Sequence, residues 1–384
     1  MSLSDKYFYL LKEKYPQTLL SGYRYFFSPG RLEIIGNHED YNGGLTIACP
    51  ASLGLFFAVK PNESNVINLY SDGFPEEHFS LEDKPTSIAS QVIRNLKDKG
   101  YKVSGFDIYI VGDLPVGSGL SSSASFENLI SLSVSYLFND GQIPVIDLAT
   151  AGMLSERTIL HKGSGLLDQK ASLADGLTLF DFKTGRDRLL GKTLPFKMGL
   201  FITNAGHQDL SHLYQDIVND YNDIKNYFKV FNLSDIHLKD LLENKDKFSE
   251  KAFNRGLHFF TSYERVLFFI EAYKENDLDS MILLFNQEEE SQEKYLKNIA
   301  NPMFNNGITD ILTSFRKYFP SSGIRLIGGG FGGSLLCLFK EIDEDKIERF
   351  KEEIKDYGSF NLLDDFEIEQ KEQFLPSSLV AKEK

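Results

Sequence analysis

Apolar and polar positions fall in short runs through the first half of the chain. Gly54–Lys60 (GLFFAVK), Gly105–Val111 (GFDIYIV) and Leu177–Phe182 (LTLFDF) are rich in aromatic and β-branched residues and predict strands. Between them, Ser123–Leu137 and Val145–His161 carry helical spacing, as does the amphipathic opening MSLSDKYFYLLKEKYP. Met198–Thr203 predicts one more strand, and after it the period changes. Leu210–Phe231, Lys251–Lys274, Leu278–Ile299 and Ile308–Tyr318 repeat Leu, Phe, Ile and Tyr at helical intervals. Gly323–Ile327 and Leu335–Phe339 then read as strands split by GGGFGGS, followed by a helix over Asp345–Tyr357 and a polar tail. No repeat or Pro/Ser-rich linker interrupts this order. At 384 residues the chain exceeds one ordinary core. The change of pattern near residues 185–200 predicts an α+β chain of two domains, 1–190 and 191–384.

Charge narrows the classes of partner. A formal net charge of −14 excludes a general binder of nucleic acid or anionic membrane, which needs a basic face. A protein of this charge that handles phosphate must use backbone dipoles, a metal and a few placed cations. The two cysteines, Cys49 and Cys337, lie in apolar stretches and read as buried thiols of a reducing compartment. The opening helix has no signal-peptide core, and no apolar run approaches the ~20 residues that span a bilayer. The expectation is a cytoplasmic protein without a membrane partner. No feature of the pattern specifies an oligomeric state.

Three glycine-rich segments carry the candidate chemistry. PVGSGLSSSAS, Pro115 to Ser125, follows a strand and opens a helix. Helix N-termini present unsatisfied N–H groups and a positive dipole end, so this lead-in is a candidate anion site as well as a surface turn. Gly117 and Gly119 would admit close approach of phosphate, and serine hydroxyls suit phosphate or Mg²⁺. The rival phosphate loop, GRDRLLGKT at Gly185–Thr193, has one residue too many between its glycines and runs into Pro195. It reads as an ordinary connection. SPGRLEIIGNHEDYNGG, Ser28 to Gly44, crowds Arg31, Glu33, His38, Glu39, Asp40, Tyr41 and Asn42 around glycine turns. Such a loop suits a polyol, though NGG alone also marks a solvated turn. The third segment, Ile324 to Phe339, joins two strands through five glycines and one Phe. That spacing demands close backbone approach, to a ligand or to another loop.

In this order and at these separations, GRLEIIGNHEDYNGG, PVGSGLSSSASFE and GIRLIGGGFGGS resemble the three motifs of the GHMP small-molecule kinases. The first is similar to the galactokinase signature, usually G-R-x-N-x-I-G-E-H-x-D-Y-N-G-G. The resemblance runs from about Tyr23 to Phe339 and implies a two-domain kinase with its active site in the cleft between domains. It implies transfer of the γ-phosphoryl group of ATP, with Mg²⁺, to the anomeric hydroxyl of galactose. Asp168, in the G-x-x-D-Q context of Gly165 and Gln169, would then orient or accept the hydroxyl proton; alone it reads equally as a helix cap. Arg31 would pair with it and stabilise charge on the transferring group. Glu156, twelve residues before Asp168, would hold Mg²⁺ together with Ser122 or Ser123; alone it reads as a solvated helix residue. Gly117, Ser118, Gly119, Leu120, Ser121, Ser122 and Ser123 would cradle the ATP phosphates.

Asn37, His38, Glu39, Asp40 and Tyr214 would face the sugar, Tyr214 being equally readable as a core residue of its helix. The motif departs from the family at two places: Asn37 stands for the usual Glu, and Glu33 for the usual Asn. With a neutral amide at 37 the resemblance implies a weaker grip on galactose unless Glu33 or Glu39 supplies the missing acceptor, or a site for another sugar such as N-acetylgalactosamine, a pentose or a uronic acid. A sugar- and ATP-binding sensor without catalysis is the remaining alternative, disfavoured by the intact serine run, Arg31 and Asp168.

Overall fold

A computed structural model describes residues 3–19, 22–115, 117–161, 163–204, 211–303, 305 and 307–363. The first half holds strands β1 (Arg24–Ile35), β2 (Leu45–Pro61), β3 (Val66–Ser71), β4 (Glu77–Ser80), β5 (Phe106–Gly112), β6 (Leu177–Asp181) and β7 (Asp187–Gly191). Its helices are α1 (Leu3–Lys14), α2 (Ile88–Asp98), α3 (Ser122–Phe138), α4 (Val145–Ser155) and the short α5 (Leu167–Ser172). The strands form one sheet in the order β4-β3-β5-β2-β6-β7, with β1 paired along β2. Every pairing is antiparallel except β3 with β5. Helices α2, α3 and α4 bury Val92, Leu129 and Leu148 against Phe26, Phe57 and Ile108 on one face. Tyr7 and Leu11 of α1 cover Phe27 and Phe56 on the other.

The second half builds a four-stranded antiparallel sheet, ordered β11-β8-β10-β9, from β8 (Lys197–Thr203), β9 (Gly323–Leu326), β10 (Ser334–Phe339) and β11 (Gly358–Leu362). Around it lie α6 (Ser211–Phe228), α7 (Leu238–Glu243), α8 (Glu250–Lys274), α9 (Leu278–Ser291), α10 (Ile308–Tyr318) and α11 (Glu344–Ile354). One hydrophobic cluster joins Leu32, Ile34 and Ile47 of the first sheet to Phe269 of α8, Ile282 of α9 and Leu336 of β10. The two sheets therefore share a core, and Leu120 and Ile327, from two of the glycine-rich segments, belong to it.

Most predicted elements appear within a few residues of their expected bounds. Three differences bear on the site. The segment read as a loop from Ser28 is strand as far as Ile35, so Arg31 and Glu33 sit on rigid sheet. The helix expected over Val145–His161 stops at Ser155 and widens into a π-type turn over Glu156–Leu160. GRDRLLGKT folds as β7, hairpinned on β6, which rules out a helix-opening phosphate loop there. Leu210 and the tail beyond residue 363 lie outside the described residues.

Candidate active site

Period-two alternation in β1 puts Leu32 and Ile34 into the shared core and turns Arg31 and Glu33 to the opposite face. That strand is pinned by reciprocal bonds: Ser28 Oγ donates to Ser125 O at 2.7 Å, Ser125 Oγ donates to Ser28 O at 2.6 Å, and Ser172 Oγ donates to Pro29 O at 2.5 Å. Strand β1 is thereby registered against the start of α3 and against α5. The result is a direct pair: Arg31 Nε donates to Asp168 Oδ1 at 2.8 Å. Arg31 is 3% exposed, whereas the Asp168 side chain keeps 38% of its surface. The carboxylate is held yet open to a ligand.

Asp168 is the second residue of α5, not its cap, which sets aside the capping reading. Its neighbour Gln169 is fully buried; Nε2 donates to Glu127 Oε2 at 2.8 Å, and Gln169 O accepts from Asn128 Nδ2 at 3.0 Å. The D-Q pair thus divides its labour: Gln169 anchors to α3 while Asp168 faces out. Glu156 is buried at 4% exposure, which excludes a solvated face, and its charge acts on the Tyr214 hydroxyl.

A cavity opens beside this pair, lined by Arg31, Glu33, Asn37, His38, Asp40, Ser164, Gly165, Leu167, Asp168, Tyr214, Gly328 and Gly329. Asp40 accepts from Leu167 N at 3.3 Å, and burial together with the Asp168 charge pushes its carboxyl up to about 7. Gly165 is glycine because a Cβ there would sit 1.9 Å from Asp40 Oδ2. His38 meets the Tyr41 hydroxyl through Nδ1 at 2.6 Å, and its Nε2 has no partner of good geometry among the described residues. Burial, then the neighbouring His258, bring the His38 ring down to about 3, so it is neutral at ordinary pH. Tyr214 of α6 lies 5.2 Å from the His38 ring and lines the cavity.

Two sequence expectations meet a different environment. Glu39 does not line the cavity; it is fully buried behind the Asp40 turn, where its Oε2 would lie 1.7 Å from a Cβ on Gly44. Burial and the Glu288 charge raise its pKa well above the usual range. Asn37 reaches the cavity wall but spends its amide on protein. Nδ2 donates to Glu33 Oε1 at 2.9 Å and to Gly328 O at 2.8 Å, while Oδ1 accepts from Gln292 at 2.9 Å and Asn298 at 3.1 Å. No donor or acceptor of that amide is left for a sugar hydroxyl.

The serine-rich loop lies on the other side of Arg31. Arg31 N donates to Leu120 O at 3.1 Å, and Nη1 donates to Gly119 O. Gly328 and Gly333 of the third segment approach this loop: Ser334 Oγ donates to Ser118 O at 2.6 Å, a Cβ on Gly333 would lie 3.0 Å from that same oxygen, and one on Gly328 would lie 3.1 Å from Gly119 O. Gly333 also has φ of 91°, which favours glycine. Leu120 is buried in the shared core. Ser121 holds φ of 60° at the mouth of α3, and its buried hydroxyl has no partner among the described residues. With the amides of α3's first turn, that orphaned hydroxyl suits phosphate oxygens and a hard cation. No group of three or more His, Cys, Asp or Glu able to hold a metal occurs among the described residues.

A second, apolar cavity begins at Ser122 and Ser123 and runs between β2, β3, β5 and α3. Leu55, Leu69, Ile110, Leu114 and Phe126 wall it, with Phe74 at its rim and Asp72, Glu76 and Glu77 alongside. Sequence reading missed these residues, because apolar positions that line a cavity have the same pattern as those that fill a core. The exposed Phe74 in the turn before β4 was the available signal.

Comparison with known proteins settles the family. Residues 87–176 match the GHMP kinases N terminal domain, and residues 12–61 match the galactokinase galactose-binding signature. The galactokinase of Clostridium perfringens is 31% identical over 346 residues, spanning 84% of this chain and 87% of the relative. The chain belongs to the galactokinase family. The galactokinase of Ligilactobacillus salivarius is 30% identical over 357 residues, covering 86% of the chain and 88% of the relative. The fold agrees: Lactococcus lactis galactokinase, solved in complex with galactose, superposes with a TM-score of 0.81 at 24% identity, covering 93% of this chain and 97% of that one. Methanococcus jannaschii mevalonate kinase follows at 0.63 and 18% identity, covering 89% of this chain and 98% of that one. This galactokinase-family chain has the GHMP kinase fold. No helix among its described residues is long and apolar enough to cross a membrane.

Proposed function

We propose that the enzyme transfers the γ-phosphoryl group of ATP to the C1 hydroxyl of galactose, giving galactose 1-phosphate and ADP. The observation that carries this reading is the Arg31–Asp168 pair standing between a cavity rich in hydrogen-bonding groups and a serine-rich helix mouth. The sugar would lie over Tyr214, with Asp40 and His38 meeting its hydroxyls and C1 turned to Asp168. Asp168 would orient that hydroxyl and take its proton as the oxygen attacks. Arg31 would hold the carboxylate in place and stabilise charge on the moving phosphoryl group. Positioning does most of the work in such transfers, which suits groups fixed by sheet and helix. The α3 amides and Ser121 would hold the phosphates, and the apolar cavity from Ser122 to Phe74 would take the base. Mg²⁺ would be held by Glu156 with Ser122 or Ser123; when bound it neutralises phosphate oxygens. An enzyme drawing on the cell's ATP belongs in the cytoplasm. The test is a panel of free sugars with Mg·ATP and an ADP readout: galactose is expected to be the best substrate, and turnover of another sugar without galactose would overturn the assignment.

A further inference from the structure

Strand β1 and the turn after it put one carboxylate and one amide in contact at the cavity wall. Glu33 and Asn37 both line the cavity, both are at most 2% exposed, and Asn37 Nδ2 lies 2.9 and 3.2 Å from the two Glu33 oxygens. The orientation of the amide is dictated by its neighbours. Glu33 and Gly328 O only accept, so Nδ2 must face them, and Oδ1 must face the Gln292 and Asn298 amino groups. Glu33 has a second partner from the other half of the chain, Arg325 Nη2, whose Nη1 also donates to Ile34 O at 3.3 Å. Arg325 is itself fully buried, so the ion pair is closed to water on that side.

The acceptor counts differ between the two residues. Asn37 has none to spare, whereas a carboxylate offers about four lone-pair sites and Glu33 gives three contacts to Asn37 and Arg325. Oε2 in particular meets only the longer 3.2 Å contact. Relative to the motif that the segment resembles, carboxylate and amide have changed places between two touching positions, so charge and amide count at this wall are kept.

Resting on the galactose reading above, we propose that Glu33 is the anionic acceptor this wall presents to the sugar, and that Asn37 is a positioning residue that aims it. The two form one carboxylate–amide unit whose members can be exchanged only together. Changing Asn37 to Glu alone would set two carboxylates within hydrogen-bond distance, with Arg325 the one cation bonded to the pair among the described residues. It would also leave Gly328 O without its donor. Changing Glu33 to Asn alone would strip Arg325 of its carboxylate.

The experiment is a cycle of wild type, Glu33→Asn, Asn37→Glu and the double exchange, with kcat, KM for galactose, KM for ATP and Tm measured for each. Each single change should raise galactose KM at least tenfold, the factor given by about 1.4 kcal/mol, and should lower Tm. The double exchange should return KM to within about threefold of wild type, under 1 kcal/mol, and ATP KM should stay flat throughout. Glu33→Gln keeps the shape but leaves the buried Arg325 without its counter-charge, so it should raise galactose KM and also lower Tm. Additive KM effects in the double exchange would overturn the proposal. So would recovery of Tm without recovery of KM, which would make the pair structural only, or a wild-type KM in Glu33→Gln. Should wild type turn over another sugar and not galactose, the substrate assignment fails, and the same cycle on that sugar still decides whether the two residues are coupled.

Discussion

Replacing Gly165 by alanine tests the placement of the sugar-facing carboxylate with a single methyl group. A Cβ at this position would lie 1.9 Å from Asp40 Oδ2, 2.4 Å from Cγ and 3.0 Å from Oδ1. Ordinary contact begins near 3.4 Å, so the carboxyl must retreat by about 1.5 Å. It has little room to do so, because Asp40 is half-buried and its Oδ2 accepts from Leu167 N, the first residue of the helix that carries Asp168. Retreat removes Asp40 from the cavity and costs the sugar its hydrogen bonds to a charged acceptor, about 1.5–3 kcal/mol. Galactose KM should rise by roughly 10- to 150-fold. The loop proposed to hold phosphate lies between β5 and α3, away from the clash, so nucleotide affinity should stay at the wild-type value. Initial rates by ADP release give KM, calorimetric titration with ATP gives the nucleotide Kd, and Tm reports folding. Gly163→Ala is the control, since a Cβ there meets nothing nearer than 3.4 Å. Wild-type galactose KM in Gly165→Ala would refute the placement of Asp40 on the sugar.

Three further outcomes follow from the same geometry. Asp168→Asn and Arg31→Ala should each lower kcat by at least about a hundredfold while ATP binding persists, because the proposed mechanism puts this bonded pair at the transferring centre; single-turnover kinetics beside nucleotide titration would separate the two effects. Asp40 is raised from 3.8 to about 7, so it takes up a proton as pH falls through about 7 and stops accepting from a sugar hydroxyl. The kcat/KM for galactose should therefore decline below about pH 7 with a slope of one, with no separate limb from His38, which stays neutral down to about 3; the limb should vanish from the residual activity of Asp40→Asn. Ser334→Ala removes the 2.6 Å bond to Ser118 O that ties the third glycine segment to the phosphate loop. A buried carbonyl left unpaired costs about 1–3 kcal/mol, so ATP KM should rise at least fivefold with galactose KM unchanged.

The sequence carried the site's membership better than its geometry. The serine run at the mouth of α3 and the D-Q pair stand where their pattern put them, because helix starts and glycine spacing are local properties. Strand β1 was hidden by its own function. Its alternation of Arg31, Leu32, Glu33 and Ile34 is a strand pattern, but the polar face looks into a cavity instead of solvent, so a dense cluster of charge read as a loop. Asn37 and Glu39 illustrate a different limit. Their residue types suit a sugar, and only tertiary contacts from the segment just after α9 and from the third glycine segment reveal that one is saturated by protein, as only burial reveals that the other is sealed away. The five glycines were legible as close approach, while the partner of Gly328 and Gly333, the backbone of Ser118 and Gly119, lies some 200 residues away in the chain and required the fold.

Phosphoryl transfer to the C1 oxygen is the central claim, and the identity of the product tests it most directly. Purified enzyme incubated with galactose and Mg·ATP should yield one sugar phosphate whose phosphorus couples to H1 and C1 in the NMR spectrum, with one ADP formed per product. The same incubation with Asp168→Asn should yield none above background. A phosphate on any other carbon, or no galactose phosphate while a different sugar is consumed, would contradict the account.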